Sequence, residues 1–214
     1  ESKIVSNEKL SCRAIFVDTD KVWLGMDKGR YGFYDKKKDT LVVKTIQSVS
    51  NTTEFRSIAA TKAAIFILAV GNPAKLIKID KKSLQETIVY LEENEKVFYD
   101  SMQFVDNLNG FAMGDPTEDC LSFIKTTDGG NSWEKISCAN LPKVSEGEAA
   151  FATSNTNLIV KGKSIFMVSG GKKSRVFVSL DFGISWQVYE TPIVQGEEMT
   201  GIFTADFYND KTGI

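Results

Sequence analysis

The segment TTDGGNSW at 126–133 returns fifty-three positions later as SLDFGISW at 179–186. A chain that repeats itself at a fixed period is built from one supersecondary unit used several times, and that limits its fold more than any single motif could. Stepping back from Asp128 by roughly the same interval reaches Asp80 in KIDKKSLQE, then Asp35 in FYDKKKDT. Both look like eroded copies, with an apolar strand before the aspartate and a turn after it. Upstream of each aspartate a second piece recurs: a polar residue, an apolar stretch, a short turn and another apolar strand. The copies are CRAIFVDTDKVWLGM, FRSIAATKAAIFILAV, DSMQFVDNLNGFAMG and EAAFATSNTNLIVKGKSIFMVSG, and a fifth begins near Thr204 in TADFYNDKTGI.

Each unit reads as short strands separated by Asn, Asp, Gly and Lys turns, and no stretch carries a helical period. An all-β repeat of about 45–50 residues is the signature of a β-propeller with four-stranded blades. FVD then opens the first strand of a blade, VWLGM is the second, and the repeated box joins the third and fourth. The expectation is a single propeller domain over 1–214 with blades near 11–53, 54–97, 98–144 and 145–199. Residues 1–10 and 200–214 are expected to belong to further blades, which implies an incomplete ring of six or seven; a closed four-bladed ring is the alternative.

The box S/T-x-D-x-G-x-S/T-W resembles the Asp-box, or BNR repeat, of sialidases, related glycosidases, sortilin-type receptors and photosystem II assembly factor propellers. The stretches SCRAI, EFRSI, GFAMGDP, NLPKVSEGEAAFA and SRVFVSLDFGISW, the last followed by ETPIVQGEEMTGIF, are similar to a bacterial and commonly exported branch of these propellers. The resemblance implies a periplasmic or secreted protein. It also implies that the box is a structural turn on the face opposite the catalytic mouth. The residue types suit that role: Asp accepts amides of its own turn, and Gly supplies a positive φ. Trp covers the gap between neighbouring strands. Asp128, Gly130 and Trp133 form one such set, and Asp181, Gly183 and Trp186 the other.

Composition excludes several chemistries. The chain has no histidine, which removes His-based nucleophilic catalysis, histidine metal sites and the usual neutral-pH proton carrier. A net charge of −2 gives no reason to expect a nucleic-acid partner, and the longest apolar run is only strand length. No metal or cofactor is expected. The three carboxylates of GDPTED at 114–119 lack calcium-loop spacing and read as a solvated turn.

The first-strand starts and second-to-third loops of a propeller face one mouth around the central channel. There the sequence places Arg13, Arg56, Asp100 and Glu148 at the successive first strands, with Arg175 opening a third strand. Three of the chain's four arginines therefore gather at one end. Converging charges focus a field, and Arg suits carboxylates. The preferred reading is a non-enzymatic scaffold that binds a partner protein or an extended polar or anionic ligand through these five residues. Alternatively these charges pair with one another, Arg13 or Arg56 against Asp100 or Glu148, and tie adjacent blades. A sialidase-like glycoside hydrolase would use Glu148 or Asp100 as acid or nucleophile, although that family's Arg-Ile-Pro signature is missing. A structural subunit of a cell-envelope assembly is the remaining class.

With the third unit's hairpin centred on Gly129, residues whose numbers sum to 258 face each other, as Cys120 and Cys138 do. That opposition allows a disulfide and, with it, an oxidising compartment; two free thiols at the open end of the hairpin are the alternative.

Overall fold

The computed structural model describes residues 4–6, 8–152 and 155–214. Its strands form, in chain order, four antiparallel sheets of four strands and one two-stranded ladder. Sheet one holds β1 (Cys12–Val17), β2 (Lys21–Met26), β3 (Arg30–Asp35) and β4 (Thr40–Thr45). Sheet two holds β5 (Phe55–Ala60), β6 (Ala64–Ala69), β7 (Ala74–Asp80) and β8 (Glu86–Glu92). Sheet three holds β9 (Tyr99–Phe104), β10 (Gly110–Gly114), β11 (Ser122–Thr126) and β12 (Glu134–Lys135). Sheet four holds β14 (Leu158–Lys161), β15 (Ser164–Val168), β17 (Arg175–Ser179) and β18 (Gln187–Glu190), while β13 (Glu148–Ala149) pairs with β16 (Gly170–Gly171) beside it. Helix is confined to one 3-10 turn at Cys138–Asn140 among the described residues.

The sheets pack face to face, and their first strands β1, β5, β9 and β14 lie side by side. Trp23, Tyr31 and Phe33 of sheet one meet Ile58, Ile65, Ile67 and Ile77 of sheet two. The other face of sheet two, with Phe66, Leu68 and Leu76, meets Tyr99, Met102 and Ile124 of sheet three. Phe111, Met113 and Phe123 then meet Leu158, Ile165 and Phe177 of sheet four. Both faces of sheet two are covered, so β6 can be the unbroken apolar run AIFILA with every residue buried. β1 has a neighbour on one face only, and its Ile15 and Val17 remain 62% and 65% exposed. The free face of sheet four is partly covered by the C-terminal segment. Phe207 stacks on Phe166 at 3.9 Å, and Gly201 bridges to Gly170.

Three details differ from expectation. FVD closes β1 instead of opening it, because the strand begins at Cys12. In the fourth unit only Glu148–Ala149 of the stretch EAAFA is strand; residues 150–152 and 155–157 lie outside any strand, and Leu158–Lys161 is the main inner strand. Of residues 1–10, expected as an outer strand, positions 1–3 and 7 lie outside the described residues and the others form no strand.

Cys120 and Cys138 are joined by a disulfide, with Cα atoms 5.5 Å apart. The hairpin reasoning reaches the right pair through the wrong register. Ile124 faces Lys135 and Lys125 faces Glu134, so facing residues sum to 259. Cys120 lies beyond the strand, bridged to Lys143, and the 3-10 turn after β12 carries Cys138 back to it.

Candidate functional site

The two ends of each sheet have different chemistry. At one end, the turn between third and fourth strands is closed by bonds local to the chain. Oδ1 of Asp128 accepts the amides of Asn131 (2.9 Å) and Ser132 (3.1 Å), and Oδ2 accepts the Ser132 hydroxyl at 2.7 Å. Thr126 donates its hydroxyl to Asp128 and accepts the Gly130 amide at 3.0 Å. Asp181 repeats the pattern with Ile184, Ser185 and Ser179, and the Ser179 hydroxyl accepts the Gly183 amide. The small hydroxyl residues of the box are therefore bonding partners, a role the sequence reading left unassigned.

Gly130 and Gly183 sit at φ 73° and 80°, where a side chain would be strained. Burial pushes the Asp128 carboxyl up, but the Ser132, Thr126 and Asn131 donors outweigh it and hold the group at about 2. For Asp181 the Ser185 hydroxyl and amide lead, again to about 2. Asp35 and Asp80 make the same turn without the tryptophan, accepting the amides of Lys37 and Lys38 and of Lys82 and Ser83. The tryptophans reach further than neighbouring strands: each spans to the preceding sheet. Trp133 of sheet three meets Phe66 of sheet two edge-on, and Trp186 of sheet four meets Phe123 of sheet three at 5.6 Å.

The opposite end is the mouth. Arg13, Arg56 and Asp100 occupy one equivalent position, the residue bulged out of the ladder at the start of β1, β5 and β9. A bulge residue escapes pairing and can be aimed independently of its strand. Arg13 is exposed and has no bonding partner among the described residues. Arg56 donates through Nε (3.0 Å) and Nη2 (2.9 Å) to Glu54 and lies 5.9 Å from the Phe98 ring. Glu148, buried, accepts from Arg175 Nε at 2.8 Å and Nη2 at 2.5 Å, from the Ser169 hydroxyl and from the Ser145 amide. Of the five residues chosen from sequence, the structure thus joins Glu148 with Arg175. Arg56 takes a neighbour in its own segment, so neither pair ties one four-stranded sheet to the next.

Two mouth residues were missed. Arg30 opens β3 as Arg175 opens β17, and it is bonded to Asp27; the logic that selected Arg175 applies to it equally. All four arginines therefore lie at the mouth end. Asp115 follows β10 and accepts the Ala150 amide at 2.8 Å. Desolvation raises its carboxyl to about 6. Asp100 beside it has zero exposure, and neither carboxylate oxygen has a hydrogen-bond partner. Desolvation, reinforced by Asp115 and opposed by Arg56, holds its carboxyl well above the usual range. Among the described residues no cluster of three or more His, Cys, Asp or Glu could hold a metal ion.

Toward the hairpin end of the inner strands lies a 790 Å³ cavity walled by Ile58, Met102, Phe104, Leu158 and Ile159. Side-chain amides stitch its wall. Asn155 donates to the Ile58 carbonyl and accepts the Met102 amide, while Gln103 accepts the Val160 amide at 2.8 Å.

No protein-family model matches the chain, and neither does any curated protein. Solved structures do. The RRP9 WD40 repeats align over 88% of this chain and 53% of theirs, with a TM-score of 0.64 at 11% identity. The fold is a β-propeller. The extracellular domain of BT4673, a putative one-component system from B. thetaiotaomicron, aligns over 96% of the chain and 26% of its own, with a TM-score of 0.63 at 12% identity. YCF48 bound to D1 peptide aligns over 98% and 91%, with a TM-score of 0.50 at 11% identity. The chain spans about half the length of the WD40-repeat structures it matches. In propeller terms its four four-stranded sheets are blades. No helix among the described residues is long and apolar enough to cross a membrane.

Proposed function

We propose that this chain is a non-enzymatic, exported propeller scaffold of the Asp-box type, binding a partner protein or an extended, carboxylate-bearing ligand at its mouth. The observation that carries this reading is the placing of all four arginines at one end, with Arg13 exposed and without a partner among the described residues. Arg13 offers a planar fork of donors that no described residue occupies, which suits a carboxylate of an anionic partner, and Arg56 on the next blade lies at the equivalent position. The alternative, glycoside hydrolysis, calls for an acid and a nucleophile facing substrate. Glu148 commits both oxygens to Arg175, Ser169 and Ser145, and Asp100 is out of contact with solvent, which favours binding over catalysis. Export is supported by the disulfide and by likeness to an extracellular domain. Peptide binding has a parallel in the peptide-bound YCF48 structure.

The test is fluorescence anisotropy with labelled acidic peptides, run against wild type and Arg13→Ala/Arg56→Ala. The double variant should bind at least about tenfold more weakly, as loss of charge-assisted bonds predicts. It should melt with wild type, because the Arg56–Glu54 pair is still partly solvated and such pairs add little stability. Equal binding by the variant would refute the reading. So would turnover of fluorogenic sialosides or glucosides that disappears in Glu148→Gln.

A further inference from the structure

Asp100 and Asp115 sit across one backbone irregularity. The ladder between β9 and β10 skips Asp100, pairing Tyr99 with Gly114 and Ser101 with Met113. Asp115 follows directly, its amide bonded to the Phe98 carbonyl at 2.8 Å. Gly114 makes the close approach possible, since a Cβ there would lie 2.2 Å from that carbonyl oxygen. The bulge thus turns one carboxyl into the protein at the point where the next blade strand delivers another. A buried carboxylate with no donor is costly as an anion, and a second carboxylate nearby makes it costlier. Two such groups release their protons as a pair, not independently.

We propose that the buried, unpartnered Asp100 carboxyl, with Asp115 as a neighbouring like charge, makes the mouth end of the third blade responsive to pH. Burial without a donor favours the protonated form of Asp100, inside the protein. Losing that proton creates a buried anion whose favourable exits are toward water or toward Arg56, the cation that acts on it from β5 and that now holds Glu54. From the fourth blade, the nearby Glu148 is already matched by Arg175, leaving Arg56 as the group that responds. Ionisation therefore exchanges partners at a mouth arginine and loosens the start of β9. In a chain without histidine, Asp115, raised to about 6, brings a titration toward neutrality. These protons belong to the protein itself, whatever the mouth binds.

The sign of the effect is fixed by linkage. Carboxyls with raised folded values stabilise fully below the unfolded value near 4, and that stabilisation is lost as pH rises through the folded value. Asp115 alone, at about 6, corresponds to on the order of a hundredfold in the folding equilibrium.

Carboxyl ¹³C NMR titration of wild type and Asp115→Asn tests the coupling directly. Asp100 should titrate well above 4 in wild type, and lower in Asp115→Asn, where the like charge is gone. Chemical denaturation of wild type and Asp100→Asn across pH 4–8 should show the unfolding constant of wild type gaining about tenfold per pH unit relative to the variant until the folded midpoint is passed. An ordinary Asp100 midpoint in wild type, or one unmoved by Asp115→Asn, would overturn the proposal even if Asp100→Asn failed to fold. Should millimolar Ca²⁺ displace the proton and stabilise wild type but neither variant, the two carboxyls are a cation site and the proposal falls.

Discussion

Reducing the Cys120–Cys138 bond should lower the stability of the protein by an amount that follows from its loop. The bond spans a sequence separation of 18. Loop-closure entropy for a ring of that size gives about 3 kcal/mol at 25 °C. At about 2–4 °C per kcal/mol for a chain of this length, the melting temperature should fall by roughly 6–12 °C. The local packing directs the loss to the third and fourth blades. Cys120 is buried beside Leu121 and Phe123, and Cys138 packs against the same cluster, which joins those two blades. The assay is thermal unfolding of Cys12→Ser with and without a phosphine reductant, because removing the exposed Cys12 thiol prevents exchange. Non-reducing mass analysis after alkylation should show no modified thiol in Cys12→Ser and two after reduction. A shift under about 2 °C would show that the bond constrains little in the unfolded chain. Two alkylated thiols without reductant would refute the bond itself.

Two further outcomes follow from the hairpin end of the blades. Asp128 and Asp181 have folded values of about 2, below their usual value, so their stabilisation is present above about pH 4 and is lost as pH falls toward 2. Asp128→Asn/Asp181→Asn should flatten the acid limb of a stability–pH curve measured by urea unfolding, and an unchanged limb would contradict the bonding described. Trp133→Ala removes edge contacts to Phe66 in the second blade and to Phe104 in its own, and should cost about 3–5 kcal/mol. A loss below about 1 kcal/mol in the same assay would mean that the indole is not holding those blades together.

The repeat made the all-β architecture and its turns legible because each turn is written in adjacent residues. Asp128 meets its partners within four positions, so pattern and contact coincide. The mouth is assembled across distance and was read less completely. Nothing local announces that Glu148 will receive Arg175 from twenty-seven positions on, or that Asp115 will come to lie near Asp100. Arg30 was accessible to the logic that chose Arg175 and was overlooked, since its own box, around Asp35, is eroded. The disulfide shows how far hairpin counting reaches. It brought the two cysteines close, but one register step and a 3-10 turn lay outside what a symmetric fold on paper can hold. The split inner strand of the fourth blade was hidden for a similar reason: EAAFA and LIVK both look like strands, and only packing on β9 favours the second.

The bulge shared by Arg13, Arg56 and Asp100 has an evolutionary consequence. A residue outside the ladder can change identity without asking its neighbours to shift register, and the far end of every blade is clamped by bonds that close within a few residues. Recognition and folding are thereby written into separate positions of the same repeat. Duplicated blades can diverge at the bulge, one acquiring a cation and another an acid, while the fasteners stay constant. The same separation marks these three positions as the places to graft a new specificity onto this scaffold.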